Sequence, residues 1–277
     1  MKIEQLSYSI GKKQILNDIS FSLEQGVYGM LGPNGAGKTT LMRCMTGMYS
    51  VKKGRVSFYG KEIQKSRDMA QRMVYLPQQF GMYRGLRVEE MMEVFAEYKG
   101  IAKQKQREEV NRAMEIAGLT DRAKDKVKSL SGGMIRRLGI AQALMGDPEL
   151  VILDEPTAGL DPEERLRFKK IISGLDKERI ILLSTHIVED VAALCDHILI
   201  LDHGEILANA SVEEVAAFAQ GKVYLVPAQR EGELGEEDYI IRREGETLRV
   251  LSGRSLFGEP AQPTIEDGYL CKVRRMG

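Results

Sequence analysis

The run Gly32-Pro33-Asn34-Gly35-Ala36-Gly37-Lys38-Thr39-Thr40 constrains this chain more than any other feature. It fits the phosphate-binding pattern G-x-x-x-x-G-K-[ST] at every fixed position. Val27 to Leu31 before it reads as a short buried strand, and Leu41 to Met45 after it as the first turns of a helix. A strand, a glycine loop and a helix are what polyphosphate binding requires. Glycines let backbone N–H groups turn inward on the anion, and the helix N-terminus adds positive partial charge. Lys38 is placed to reach the β- and γ-phosphates, and Thr39 to hold a magnesium ion.

The rest of the chain supplies an α/β frame for this loop. Leu150 to Leu153, Ile180 to Leu183 and Ile198 to Leu201 are short apolar runs bounded by polar residues, which suits buried parallel strands. Helical patterns lie between them. One opens at Asp161 as N-cap with Pro162 at its first position and stops near Gly174. Ile19 to Leu23 alternates apolar and polar like a half-buried strand, and Val56 to Tyr59 reads likewise. Residues 79–149 are rich in helix formers and charge, with helices expected over 88–98 and 103–117 closed by Gly100 and Gly118. This is a helical insert in a domain spanning 1–210. Residues 211–277 change character again. Ser211-Val212-Glu213-Glu214 is a capping box, and strand-like pieces follow at 223–226, 239–241 and 248–251. They predict a small C-terminal α+β domain.

Bulk properties narrow the function classes. The chain has 277 residues, a net charge of zero and 43% hydrophobic residues, enough for a packed core and contrary to a dedicated nucleic-acid binder. Cys44, Cys195 and Cys271 stand apart, without metal-ligand or disulfide spacing, and read as reduced thiols. No apolar signal segment opens the chain, and no stretch of about 18 apolar residues could span a membrane.

Two further motifs carry chemistry. Leu150 to Leu153 runs into Asp154 and Glu155, and a buried strand delivers its C-terminal end to the rim of an α/β sheet, where ligands bind. By itself an apolar run ending in Asp-Glu is an ordinary strand end. Paired with the phosphate loop, Asp154 becomes a candidate magnesium ligand and Glu155 a candidate for polarising the attacking water. Leu130-Ser131-Gly132-Gly133-Met134 then places an N-cap serine and two glycines at a helix start, a second anion site.

Taken together, these motifs resemble those of the ATP-binding subunits of ATP-binding cassette (ABC) transporters across residues 1 to about 205. The resemblance implies a phosphate-loop NTPase core with an antiparallel β subdomain and a helical insert. It makes Gly32 to Thr40 the ATP loop. Gln78, in Tyr75-Leu76-Pro77-Gln78, becomes the Q-loop glutamine that senses γ-phosphate and magnesium, and Leu130 to Met134 the signature sequence. Asp154 is implied as a magnesium ligand along with Thr39 and Gln78, Glu155 as the catalytic carboxylate, Asp161 as part of the D-loop and His186 as the switch histidine. It also implies two copies facing head to tail, each ATP lying between one phosphate loop and the other copy's Ser131, Gly132 and Gly133. A permease on a separate chain would hold the pair at the cytoplasmic face of the membrane.

This chain departs from the family pattern in two places. Met134 stands where the signature usually has Gln; with Arg136 and Arg137 following, this resembles a bacterial exporter subgroup. The slot for the adenine-stacking aromatic holds Ile10, with Tyr8 two residues earlier. Pro263 to Leu270 resembles the C-terminal end of ATPases serving type-two ABC exporters. Of the adjacent Met91 and Met92, one is expected in the core and the other on a permease-facing surface. A soluble ABC ATPase acting in iron–sulfur cluster assembly is the alternative function.

Overall fold

The apolar runs offer no polar side to solvent, and in the computed structural model of the protein each lies in a strand buried on both faces. The structure describes residues 1–66, 69–175 and 178–276. The chain opens with β1 (Lys2–Ile10), β2 (Lys13–Ser22), β3 (Gly26–Leu31), α1 (Lys38–Met45), β4 (Lys53–Phe58) and β5 (Lys61–Glu62). The short α2 (Met69–Arg72) leads into β6 (Met73–Leu76), followed by α3 (Val88–Tyr98), α4 (Lys103–Ala117) and α5 (Gly132–Leu144). Strand and helix then alternate through β7 (Leu150–Leu153), α6 (Pro162–Ser173), β8 (Ile180–Thr185), α7 (Val188–Leu194), β9 (His197–Asp202) and β10 (Glu205–Ser211). The final stretch holds α8 (Val212–Ala217), β11 (Val223–Pro227), β12 (Tyr239–Glu244), β13 (Thr247–Leu251), β14 (Glu259–Pro260) and α9 (Ile265–Val273).

Among the described residues the strands form three sheets. The central one has the order β10-β9-β3-β8-β7-β6. Its strands from β9 to β6 are parallel, and β10 closes one edge antiparallel. Side-chain alternation sorts each apolar run between two cores. Ile152, Leu182, Leu199 and Leu201 face one core, shared with Ile3, Leu6, Leu16 and Phe58 of the antiparallel sheet β2-β1-β4-β5 and with Leu41 and Met45 of α1. Leu153, Ile181, Leu183 and Ile200 face the other, against Ile140 of α5, Phe168 of α6 and Val191 of α7. The fold is an α/β phosphate-loop NTPase core with an antiparallel β subdomain.

Between β6 and β7 the helices α3, α4 and α5 pack around a core of their own. Gly118, at φ +61°, ends α4 in the left-handed conformation that glycine adopts without strain. At the far end of α5, Lys99 Nζ donates to the carbonyls of Ala143 (2.7 Å) and Met145 (2.6 Å), and Arg112 donates to that of Leu144 (3.0 Å). Cations thus meet the negative end of the helix and satisfy its open carbonyls. Burial lowers the Lys99 ammonium to about 8. Met91 and Met92 are both buried, at 2% and 0% exposure, which corrects the expectation that one faces a permease. The core beneath α3 covers a wide arc of the helix, from Val88 through both methionines to Ala96, leaving Val94 and Tyr98 as its exposed apolar residues.

The C-terminal strands β12-β13-β11-β14 form their own sheet. The last helix joins it to the central sheet, with Leu270 and Cys271 packed beside Val223 and Leu251. α9 packs on α7, α8 and β10, and Ile265, Tyr269 and Val273 join the core of the central sheet. A buried pair, Arg249 Nη2 to Asp267 Oδ2 at 2.6 Å, ties the small sheet to α9. Gly268 allows the close approach of α9 to α8: a Cβ there would lie 1.7 Å from the Val215 carbonyl oxygen. Gly268→Ala is therefore expected to destabilise the protein by about 2–3 kcal/mol through forced separation of the two helices. Thermal and urea unfolding check this; an unchanged midpoint would mean that α8 and α9 are not in contact in solution.

Candidate functional site

Because β3, β6, β7 and β8 are parallel, their C-terminal ends share one edge of the sheet. To that edge β3 brings the phosphate-binding loop, β6 brings Gln78, β7 brings Asp154 and Glu155, and β8 brings His186. They line a cleft of about 470 Å³ together with Pro33, Asn34, Gly35, Gly37, Lys38, Thr39 and Thr40 of the loop. Gly32 and Ala36 lie beneath the loop instead. A Cβ on Gly32 would sit 2.2 Å from the Leu201 carbonyl oxygen, so only glycine lets β3 and β9 close under the turn. Gly37, at φ +110°, turns the chain into α1 and directs its first N–H groups at the cleft.

The buried Asp154 carboxylate organises the floor. Oδ2 accepts from Thr39 Oγ1 (2.8 Å) and from the Tyr75 hydroxyl (2.9 Å), and Oδ1 accepts from Ser184 Oγ (2.7 Å). One side chain on β7 thereby joins α1, β6 and β8. Burial, and then the Asp154 charge, raise the Tyr75 hydroxyl to about 12, so the group is a committed donor.

Glu155 and Lys38 form the second layer. Lys38 Nζ donates to the carbonyls of Gly32 (2.6 Å) and Pro33 (3.3 Å) and lies 3.6 Å from Glu155 Oε1. Burial lowers its pKa, and the Glu155 and Asp154 charges oppose that shift. His186 Nδ1 lies 3.0 Å from Glu155 Oε2; facing a carboxylate acceptor, that nitrogen carries the proton. Glu155 has φ +47°, an uncommon conformation for a residue with a side chain. Its N–H donates to Ser184 Oγ at 2.8 Å, and its carbonyl accepts from Arg136.

The remaining candidates lie elsewhere. Ser131 Oγ accepts from the Met134 N–H (3.2 Å) and caps α5, and Asp161 Oδ1 accepts from the Glu164 N–H (2.9 Å) and caps α6. Neither they nor Gly132 and Gly133 line this chain's cleft. Gly133 has a packing reason of its own: a Cβ would lie 2.6 Å from Glu164 Cγ, whose carboxylate pairs with Arg137 at 2.8 Å. Ile10 is 54% exposed at the end of β1 and is not among the lining residues; Lys13 and Ile15 are, while Tyr8 stacks on Tyr49. Sequence reasoning did not single out Tyr75, Ser184 or Arg136 as site residues. A half-buried strand tyrosine and an arginine in an apolar helix both call for polar partners, and that was the available signal.

The fold and cleft define a phosphate-loop ATPase carrying a helical insert. A family model described as ABC transporter matches residues 16–158. The chain is 35% identical to the Nod factor export ATP-binding protein I of Rhizobium sp. (strain N33), over 95% of this chain and 93% of that protein. It is 37% identical to the linearmycin resistance ATP-binding protein LnrL of Bacillus subtilis (strain 168), over 75% of this chain and 68% of that protein. Among solved structures, cbiO1 of Clostridium perfringens, part of the ABC transporter complex cbiONQ, matches with TM-score 0.71 and 26% identity, over 78% of this chain and 90% of that one. The chain belongs to the ABC transporter family, as an ATP-binding ATPase subunit with a transport role.

The lining residues predict which isoleucine meets the base. Ile10→Ala is expected to change ATP affinity by less than about twofold, and Ile15→Ala to weaken it about 3–10-fold through lost apolar contact. Titration with a fluorescent ATP analogue and competing ATP measures both; the reverse order would return the base to Ile10.

Proposed function

We propose that this subunit powers export through a membrane permease on a separate chain, working as an ATP-dependent pair at the cytoplasmic face of the membrane. The observation that carries the reading is the convergence of Lys38, Thr39, Gln78, Asp154, Glu155 and His186 on one cleft. The likeness to a Nod factor export ATP-binding protein favours export over iron–sulfur assembly. No described helix is long and apolar enough to cross a membrane, which fits a partner that supplies the pathway.

Thr39 Oγ1 and Asp154 Oδ2, hard oxygen donors 2.8 Å apart beside the loop, suit magnesium, with Gln78 lining the same cleft. The ion, when bound, neutralises charge on the β- and γ-phosphates. Lys38 would exchange its contacts with Gly32, Pro33 and Glu155 for the phosphates. Glu155 would then be free to take a proton from water as that water bonds to the γ-phosphorus and the bond to the β–γ bridging oxygen breaks. His186, hydrogen-bonded to Glu155 and half exposed, would turn its other ring nitrogen to the γ-phosphate.

Ser131, Gly132 and Gly133 stand outside this chain's cleft, at a helix start with exposed N–H groups. That arrangement supports a role at the nucleotide of a second subunit, the proposed partner being an identical copy. Residues 211–277, with a sheet of their own behind the last cleft residue, are proposed to support or regulate the pair.

Glu155→Gln is expected to retain ATP binding, lose turnover by about 100-fold or more, and move from monomer to dimer in ATP and magnesium by light scattering. Adding Ser131→Arg should reverse the dimerisation. Wild-type turnover in Glu155→Gln would remove Glu155 from catalysis, and a persistent monomer would point to a different partner subunit.

A further inference from the structure

We infer that Arg136 is a positioning residue that ties the signature helix of each subunit to that subunit's own Gln78 and Glu155 turns, coupling the two nucleotide sites of the pair. The inference rests on the dimer reading above.

Arg136 lies on α5, five residues past Ser131, and is 7% exposed. Its guanidinium pairs with no carboxylate among the described residues. It donates instead to backbone carbonyls from two turns that both reach the cleft. Nε donates to Pro156 (2.8 Å), Nη1 to Gln78 (2.8 Å) and more weakly to Pro77 (3.5 Å), and Nη2 to Asp154 (3.1 Å) and to Glu155. Every N–H edge of the planar fork is used, a geometry that a lysine ammonium cannot reproduce. The Phe80 ring covers the guanidinium, with Cζ of Arg136 5.6 Å from its centroid. Gly139 on the same helix makes room for that ring, since a Cβ there would lie 2.2 Å from Phe80 Cζ.

The clamp bears on a strained residue. Glu155 keeps its left-handed backbone because its N–H is held by Ser184 and its carbonyl by Arg136 and by the Ala158 N–H at 3.2 Å. Strained backbone persists where its surroundings over-determine it, and removing the charged one of these anchors loosens the carboxylate. The Gln78 carbonyl hangs from the same guanidinium. When Ser131 to Gly133 engage the other copy's nucleotide, the start of α5 is drawn toward that copy, and Arg136 carries the shift to Gln78 and Glu155 of its own site.

The test uses the full chain with Arg136→Lys, Phe80→Leu and, in parallel, Glu155→Gln. Three quantities are measured: affinity of the monomer for a fluorescent ATP analogue, steady-state ATP hydrolysis against ATP concentration, and ATP-dependent dimerisation. For Arg136→Lys the expected result is nucleotide affinity within about twofold of wild type and kcat lower by on the order of tenfold to a hundredfold. The Hill coefficient should fall from near its two-site limit of about 2 toward about 1. Phe80→Leu, which leaves Arg136 in place but uncovers it, should show a smaller drop in kcat at unchanged affinity, and it decides the matter should Arg136→Lys fail to fold. Unchanged kcat and Hill coefficient in the variant that folds overturn the inference, as does a fall in kcat with the Hill coefficient intact, since the sites would then be uncoupled from this side chain. If Glu155→Gln does not dimerise and the wild-type Hill coefficient is near 1, the dimer reading itself has failed and the inference with it. If Glu155→Gln dimerises and only the Arg136 result is negative, the dimer reading stands alone.

Discussion

The Asp154 carboxylate is the interaction on which the rest of the site depends. A buried carboxylate is costly unless its oxygens are satisfied. Here three hydroxyls satisfy it, each from a different element: Thr39 from α1, Tyr75 from β6 and Ser184 from β8. Hydrogen bonds to a charged group contribute about 1.5–3 kcal/mol each, so the phosphate loop, the Gln78 strand and the His186 strand are held in one geometry by a single negative charge. Ser184 does more than donate. Its oxygen also accepts from the Glu155 N–H, linking the satisfied carboxylate to the strained residue that follows it.

That linkage gives the two adjacent carboxylates different environments. Asp154 is enclosed by neutral donors and has little freedom. Glu155 faces the Lys38 ammonium at 3.6 Å and the His186 Nδ1 at 3.0 Å, both of which lie on the cleft wall. A polyphosphate entering the cleft competes for the same partners. The site is thereby preorganised with its donors parked on Glu155 and on the loop carbonyls, ready to exchange those oxygens for the phosphates'.

Much of this frame was legible in the sequence. The apolar runs marked the parallel strands because strands buried on both faces have no polar alternation. Gly100, Gly118 and the Ser211 capping box marked helix ends because few residues suit those positions. Motif spacing picked out the residues that the structure gathers at the cleft, since parallel strands end at one edge whatever their sequence separation. Long-range pairings were not legible. Nothing local to Tyr75 or Ser184 indicates that both meet Asp154, and nothing near Arg136 names carbonyls up to 59 residues away. One burial expectation failed. Met91 and Met92 are both covered because the core of α3 is wider than a single stripe. Ile10 is exposed at the end of β1, and its pairing partner Lys13 lines the cleft. The position of α9 was not legible either: it packs on α8 and α7 and shares side chains with both the central core and the C-terminal sheet.

The central claim is that Asp154 is at once the structural hub and the metal-side anchor of the nucleotide site. Calorimetric titration of ATP into wild-type protein and Asp154→Asn, with and without magnesium, tests it most directly. The account predicts that magnesium strengthens ATP binding in the wild type, and that Asp154→Asn loses this gain while keeping metal-free binding through Lys38 and the loop N–H groups. An Asp154→Asn protein that folds and retains the full magnesium-dependent gain would contradict it.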